Sequence, residues 1–312
     1  MQLSKLTEVN FCDWDKVVDS SKNGVFLFKI DFFKYHEEKF NDESLIIYKK
    51  NKPVAIFPAN GISDVLYTHS GLTYGGLVYG QDLHAKDVIL IFQSLRLYYK
   101  DKGYKKIIYK LIPSIFRNYP SDEDVYALFI NKTSLIRRDL SSVIELKNRP
   151  KFSDSRKNTI QKAKKNNVII NLSADFASFH LLLSSVLAKF GAQPVHSAEE
   201  LILLASRFPN NINLYTAKKD EEIIAGCLVF DFGCVVHTQY LASSPEGRTL
   251  GALDYLLATL IQQVYQEKKY FSFGISTEQS GTFLNEGLIA QKEGFGGRGI
   301  VHDFYEWDLS ND

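Results

Sequence analysis

The chain is poor in cysteine, methionine and tryptophan, and it has almost no charge imbalance. Its 312 residues include three Cys, one Met and two Trp. Cys12, Cys227 and Cys234 are odd in number and lack metal-ligand spacing, which argues against a disulfide framework and a structural metal site. They read as small hydrophobes in a reducing compartment, and no metal is expected. No basic-then-apolar leader opens the sequence MQLSKLTEVNFCDW, and no apolar run reaches membrane-spanning length. A cytoplasmic protein without a transmembrane segment is therefore expected. With 37 Lys and Arg against 36 Asp and Glu, the formal charge is +1. Such a balance gives no global bias toward polyanions, and DNA is not an expected partner. Phe and Tyr are plentiful instead, which suits strand-rich cores and ring-lined clefts. The length is enough for two domains of ordinary size.

An internal repeat organises those domains. In the first half, strands are expected at 45–48, 54–57 and 65–68, then a helix at 85–102 stopped by Gly103, then a strand at 104–111. In the second half the same order recurs, with strands at 213–217, 223–230 and 234–242, a helix at 251–268 and a strand at 270–273. YTHSG (67–71) lies opposite HTQYL (237–241), and KGYKKIIY (102–109) opposite EKKYFSFG (267–274). The constant spacing reads as a duplicated α/β unit. Further expectations are helical patterns around 14–20 and 31–40 and strands at 125–130 and 143–146.

Three stretches carry candidate chemistry. CVVHTQYLASSPEGRTLGALDYLL, residues 234–257, reads as strand, polar turn and helix. A turn that delivers the chain to a helix N-terminus offers free N–H groups and a positive dipole end, here with Arg248 beside them. The second, KNRPKFSDSRKNTIQKAKKNN at 147–167, holds eight Lys and Arg against Asp154 alone. It reads either as a solvated linker helix or as a groove for a diphosphate, a nucleotide or an RNA end. Between these two, Ser197 and Glu200 form a capping box that starts a helix at 198–207 and holds His196 just before it. His196 is either an exposed loop histidine or a substrate contact. The third stretch runs from Tyr270 to Gly299, where a strand ends at Gly274 and Ser276, Thr277 and Glu278 follow. Polar residues beyond a sheet strand are where open α/β folds put their ligands.

Arg248-Thr249-Leu250-Gly251-Ala252 resembles the acyl-CoA pyrophosphate loop of GNAT acyltransferases, with Leu253 where the pattern has a small residue. GISTEQSG and LNEGLIAQKEGFG resemble the C-terminal half of the FemAB/FemX-like branch of that superfamily. SRKNTIQKAKK resembles the basic helix between its two domains. The resemblance implies an α/β (α+β) chain of two tandem GNAT-like domains, each a mixed central sheet flanked by helices. The expected domains are 1–150, degenerate and on the acceptor side, and 151–312, on the donor side, with a basic connecting helix near 154–166.

It also implies acyl transfer to an amine, with the donor in a splay between two central strands. Arg248, Thr249, Leu250, Gly251 and Ala252, with Asn285, are the expected cofactor contacts for acetyl-CoA or another acyl-CoA. Lys292 matches a lysine that stabilises the charged transition state in the FemX-like branch. The acid Tyr of ordinary GNAT enzymes is replaced by Ala290. His237 or Glu278 is expected to accept the amine proton. Arg156 matches an arginine that meets the acceptor's diphosphate, and His196, Gln239 and Ser276 complete the substrate side. His237 and Gln239 share a strand face if alternation holds.

The expected function is transfer of an acetyl or other acyl group from acyl-CoA to an amino group of a sugar nucleotide or cell-envelope precursor. The acceptor is then a small molecule or a lipid-linked sugar. The alternatives are a FemX-like aminoacyltransferase that draws on charged tRNA and acts on a peptidoglycan-type precursor, and a non-catalytic binding protein built on a degenerate pair.

Overall fold

The computed structural model describes residues 1–310. The chain forms two compact units. One comprises residues 1–139, 279–282 and those from 301 onward, the other 140–278 and 283–300.

In the first unit, Gln2–Lys5, Leu45–Lys49, Lys52–Phe57 and Val78–Tyr79 form an antiparallel sheet. Lys50 and Asn51 turn between the middle two strands with φ of 52° and 62°. This left-handed pair matches the twist of a two-residue hairpin. A second set of strands pairs Val65–Tyr67 in parallel with Lys106–Lys110, which pairs antiparallel with residues 304–308. The helix Ala85–Asp101 buries Val88, Ile91, Phe92, Leu95 and Tyr99 at helical spacing, and Gly103 closes it at φ 89°.

Sequence propensity misleads in two places here. Residues 125–130, expected as a strand, belong to the helix Glu123–Ile130. Two acids in its first turn favour the helix dipole, and buried Asp124 accepts a 2.8 Å hydrogen bond from Tyr109 Oη. The helix expected over 31–40 is a short one, Ile30–Phe33, followed by the 3₁₀ segment Lys34–Lys39.

The second unit is a sheet in the order Ile169–Ser173, Ile212–Lys219, Glu222–Asp231, Val235–Ser243, Tyr270–Ile275 and residues 140–145. All pairs are antiparallel except Val235–Ser243 with Tyr270–Ile275. The helices Asp154–Lys165 and Ala252–Thr259 share a core with Phe152, Phe271, Phe273 and Phe295. The polar turn expected before residue 251 is itself a short helix, Pro245–Leu250. Ser244 caps it by accepting from the Gly247 N–H, and Pro245 sits at its first turn. The helix expected over 251–268 passes after Thr259 into the π-turn Leu260–Val264.

The repeat is visible in the register of the two parallel pairs. Val65, Leu66 and Tyr67 face Lys106, Ile107 and Ile108; Val235, Val236 and His237 face Tyr270, Phe271 and Ser272. Tyr67 thus occupies the place of His237. In the first unit the end of this pair is closed by its own chain. Lys110 N–H donates to Thr68 Oγ1, and Lys110 Nζ donates to the carbonyls of His69 and Leu72, each at 2.9 Å. The Gly75 N–H then donates back to the Lys110 carbonyl.

Candidate active site

In the second unit the same strand ends stay apart. Parallel pairing stops at His237 and Ser272, and the register of Tyr270–Ile275 against residues 141–145 shifts between Ser272 and Ile275. Gly274 makes the break possible. Its φ is +75°, a conformation L side chains resist. A Cβ there would come 3.2 Å from His237 Cε1 and 3.8 Å from Nε2. His237 is buried, and its Nδ1 shares a 3.1 Å hydrogen bond with Ser272 Oγ. One edge of the imidazole is therefore fixed while the other faces the strand break.

Lys292 reaches the same break from the helix Glu286–Gly294. Asn285 caps that helix by accepting from the Leu288 N–H. Its far end is anchored by Phe295, fully buried and edge-on to Phe152 at 5.2 Å. This pins the last turn, and Lys292 Nζ donates to the carbonyls of Gly274 at 2.9 Å and Ile275 at 2.6 Å. The residue is 5% exposed and forms no ion pair among the described residues. Burial draws its pKa down to about 8, although two carbonyl acceptors favour the protonated form. An ammonium held without a carboxylate is costly, and it remains available to a developing negative charge. Ser276, next in the chain, is 1% exposed, and its hydroxyl has no hydrogen-bond partner among the described residues.

A second feature is a hollow of about 410 Å³ lined by Arg156, Thr159, Ser243, Gly247, Arg248, Gly251, Leu253, Asp254, Gly287 and Gln291. It brings together Arg156 and Arg248, which the sequence placed on opposite substrates. Arg156 Nη1 donates to buried Asp254 at 2.6 Å, so its charge is largely matched inside the unit. Burial raises the Asp254 carboxyl pKa, and Arg156 opposes the rise. Arg248 is exposed and unpaired among the described residues, and Thr249, exposed beside it, donates its hydroxyl to the Pro245 carbonyl at 3.0 Å. Leu250 is half-buried and Ala252 fully buried against the core.

Packing explains the glycines of this turn. At Gly251, φ +77°, a Cβ would lie 2.4 Å from Thr159 Cγ2 and 2.7 Å from its carbonyl oxygen. At Gly247 it would lie 2.1 Å from the Ile224 carbonyl oxygen. The helix start meant for a pyrophosphate also carries the Asp254 carboxylate in its first turn.

The remaining expected residues fall in different surroundings. Glu278 is exposed and accepts from Asn285 Nδ2 at 2.7 Å, so those two engage each other. Gln239 lies at a β-bulge. Thr238 faces Val229 and Tyr240 faces Leu228, which leaves Gln239 opposite no residue. The alternation that would put it on the face of His237 is broken there. His196, read either as an exposed loop histidine or as a substrate contact, is buried, and its Nδ1 shares a 2.7 Å hydrogen bond with Tyr240 Oη. His180 Nε2 lies 3.0 Å from the His196 carbonyl. Ser272, Gly274, Tyr240 and Asp254 were not singled out from the sequence. Only Gly274, ending a strand, left a readable signal.

Among the described residues no three His, Cys, Asp or Glu side chains converge as a metal site, and no helix is long and apolar enough to cross a membrane. The family model described as an acetyltransferase (GNAT) domain matches residues 162–279. No curated protein matches significantly in sequence. Among solved structures, the crystal structure of FemX is similar at TM-score 0.69 and 10% identity, over 99% of this chain and 97% of that one. L-PGS from Bacillus licheniformis gives 0.65 and 12%, over 99% and 94%. A tandem GNAT protein from the clavulanic acid biosynthesis pathway gives 0.57 and 8%, over 100% and 99%. The chain has a GNAT-superfamily fold, a mixed sheet flanked by helices, consistent with tandem GNAT-like domains.

Proposed function

We propose that the chain is an aminoacyltransferase that moves an aminoacyl group from charged tRNA to an amino group of a peptidoglycan-type or other cell-envelope precursor. The observation that carries acyl transfer is the buried Lys292 ammonium at the open end of the strand pair, beside His237. The acceptor amine attacks the ester carbonyl, and the Lys292 charge stabilises the oxyanion that forms. Collapse of that intermediate expels the ribose hydroxyl, and His237 relays the amine proton, directly or through water. The donor is favoured by likeness to the structure described as FemX, and by a pyrophosphate turn whose glycines answer to packing. Arg156 and Ser276 belong to the acceptor side of this reading.

A second reading, transfer from acyl-CoA, is supported by exposed Arg248 on its hollow. One experiment separates them. The protein is incubated with an amine-bearing precursor and either tRNA charged with labelled amino acids or labelled acetyl-CoA. Label entering the precursor from tRNA alone is expected. Transfer from acetyl-CoA alone would replace this reading with the second, and transfer from neither would leave a binding protein.

A further inference from the structure

The basic stretch of the sequence does not spread evenly over the second unit. Lys157 is paired with Asp154, Arg156 with Asp254, and Lys164 lies over the Tyr255 ring. Lys147, Arg149 and Lys151 have no such partner acid among the described residues, and they converge on one hollow of about 430 Å³. Its other wall is the π-turn Leu260–Val264 and the residues after it, which present Gln262, Gln266 and Glu267.

The surroundings hold the cations in place. The Arg149 guanidinium lies 5.4 Å from the centre of the Phe152 ring, and Phe152 is buried in the core. The Leu146 N–H donates to the Lys269 carbonyl at 3.0 Å, which sets Lys147 beside a further exposed lysine. Among the described residues, Glu267 is the only acid lining the hollow. A π-turn costs helical regularity and recurs at functional places, and here it brings two amides to the rim of a cationic hollow.

We propose that this hollow grips the phosphate backbone of RNA, the donor's own tRNA in the reading above, on which this proposal rests. Three cations in one concavity suit successive phosphates, and the two glutamine amides suit ribose hydroxyls or base edges. A small anionic metabolite would need fewer charges, and a protein partner would need apolar surface, whereas Ile261 and Leu146 here are buried.

The test is fluorescence anisotropy with a labelled RNA hairpin that has an acceptor stem and a CCA end, titrated at several salt concentrations. Lys147→Glu/Lys151→Glu should weaken binding by at least about tenfold, and the milder Lys147→Gln/Lys151→Gln should flatten the salt slope by roughly 0.7–0.9 per lost phosphate contact. The exposed pair Lys162→Glu/Lys165→Glu on the helix Asp154–Lys165 should have a much smaller effect. A wild-type protein that does not bind the hairpin at moderate salt overturns the proposal. So does hollow-variant affinity equal to wild type, or an equal loss in both charge-reversed pairs. Transfer of label from charged tRNA, measured on the same wild-type protein, tests the donor separately. Sustained transfer with hollow variants that bind normally removes this site and leaves the donor standing.

Discussion

Lys292 is where residue-scale chemistry meets the proposed function. Its ordinary pKa of 10.5 is lowered to about 8 by burial, so the ammonium is present at neutral pH and lost as pH rises through that value. If the charge stabilises the oxyanion, kcat should fall above about pH 8. Lys292→Met should cost on the order of a hundredfold in kcat with little change in donor affinity, and it should abolish that alkaline limb. A pH–rate profile of both proteins decides, and equal profiles would make Lys292 a structural staple. The linkage to folding has the opposite sense. The unfolded chain keeps this proton up to about 10.5, so the group's destabilising effect is full below pH 8 and is relieved as pH climbs toward 10.5. Lys292 was legible because a short motif carried it. The Arg156–Asp254 pair was not, since 98 residues separate its members and neither has a local partner that would announce it.

At the scale of elements, what the sequence reveals is what is local. The helix stopped by Gly103 was readable from its C-terminal glycine. So was the capping box, in which the Ser197 side chain accepts from the Glu200 N–H and Glu200 accepts from the Ser197 N–H. Ser197→Ala should therefore destabilise the protein by about 1 kcal/mol in urea denaturation. Because the cap follows His196 directly, fraying the helix Ala198–Arg207 should also loosen the His196–Tyr240 bond. The elements misread from sequence were decided by distant partners. Residues 125–130 are β-prone by composition, yet Tyr109 holds Asp124 in a helical first turn. The bulge at Gln239 and the π-turn at Leu260–Val264 are one-residue departures from regular geometry, for which side-chain periodicity gives no warning.

For the whole molecule, duplication was legible in the order and spacing of elements, while the registers shift the second pair of segments by one residue, placing Ile108 and not Ile107 at the position of Ser272. What diverged is the fate of the strand ends. The first unit's pair is laced by Thr68, Lys110 and the 69–75 loop, and burial lowers the Lys110 pKa to about 8 as it does for Lys292. Buried Lys292 and half-buried Lys110 thus share a similar ionisation, and the roles proposed for them differ. Lys110→Met should cost on the order of 1–3 kcal/mol of stability, because the loop carbonyls lose their donor, and should leave kcat unchanged. Lys292→Met should do the reverse, and thermal melting beside turnover for each variant compares them.

The first unit is also discontinuous in the chain. Residues 304–308 pair with Lys106–Lys110, although nearly two hundred positions lie between the two strands. Cutting the gene near its midpoint would strip Trp307 and Leu309, both fully buried, from that half and leave a sheet edge with nothing laid against it. A dissection that respects the fold is a circular permutant: the last strand is carried to the front of the chain, so that only the short run 279–282 still breaks the message of each half.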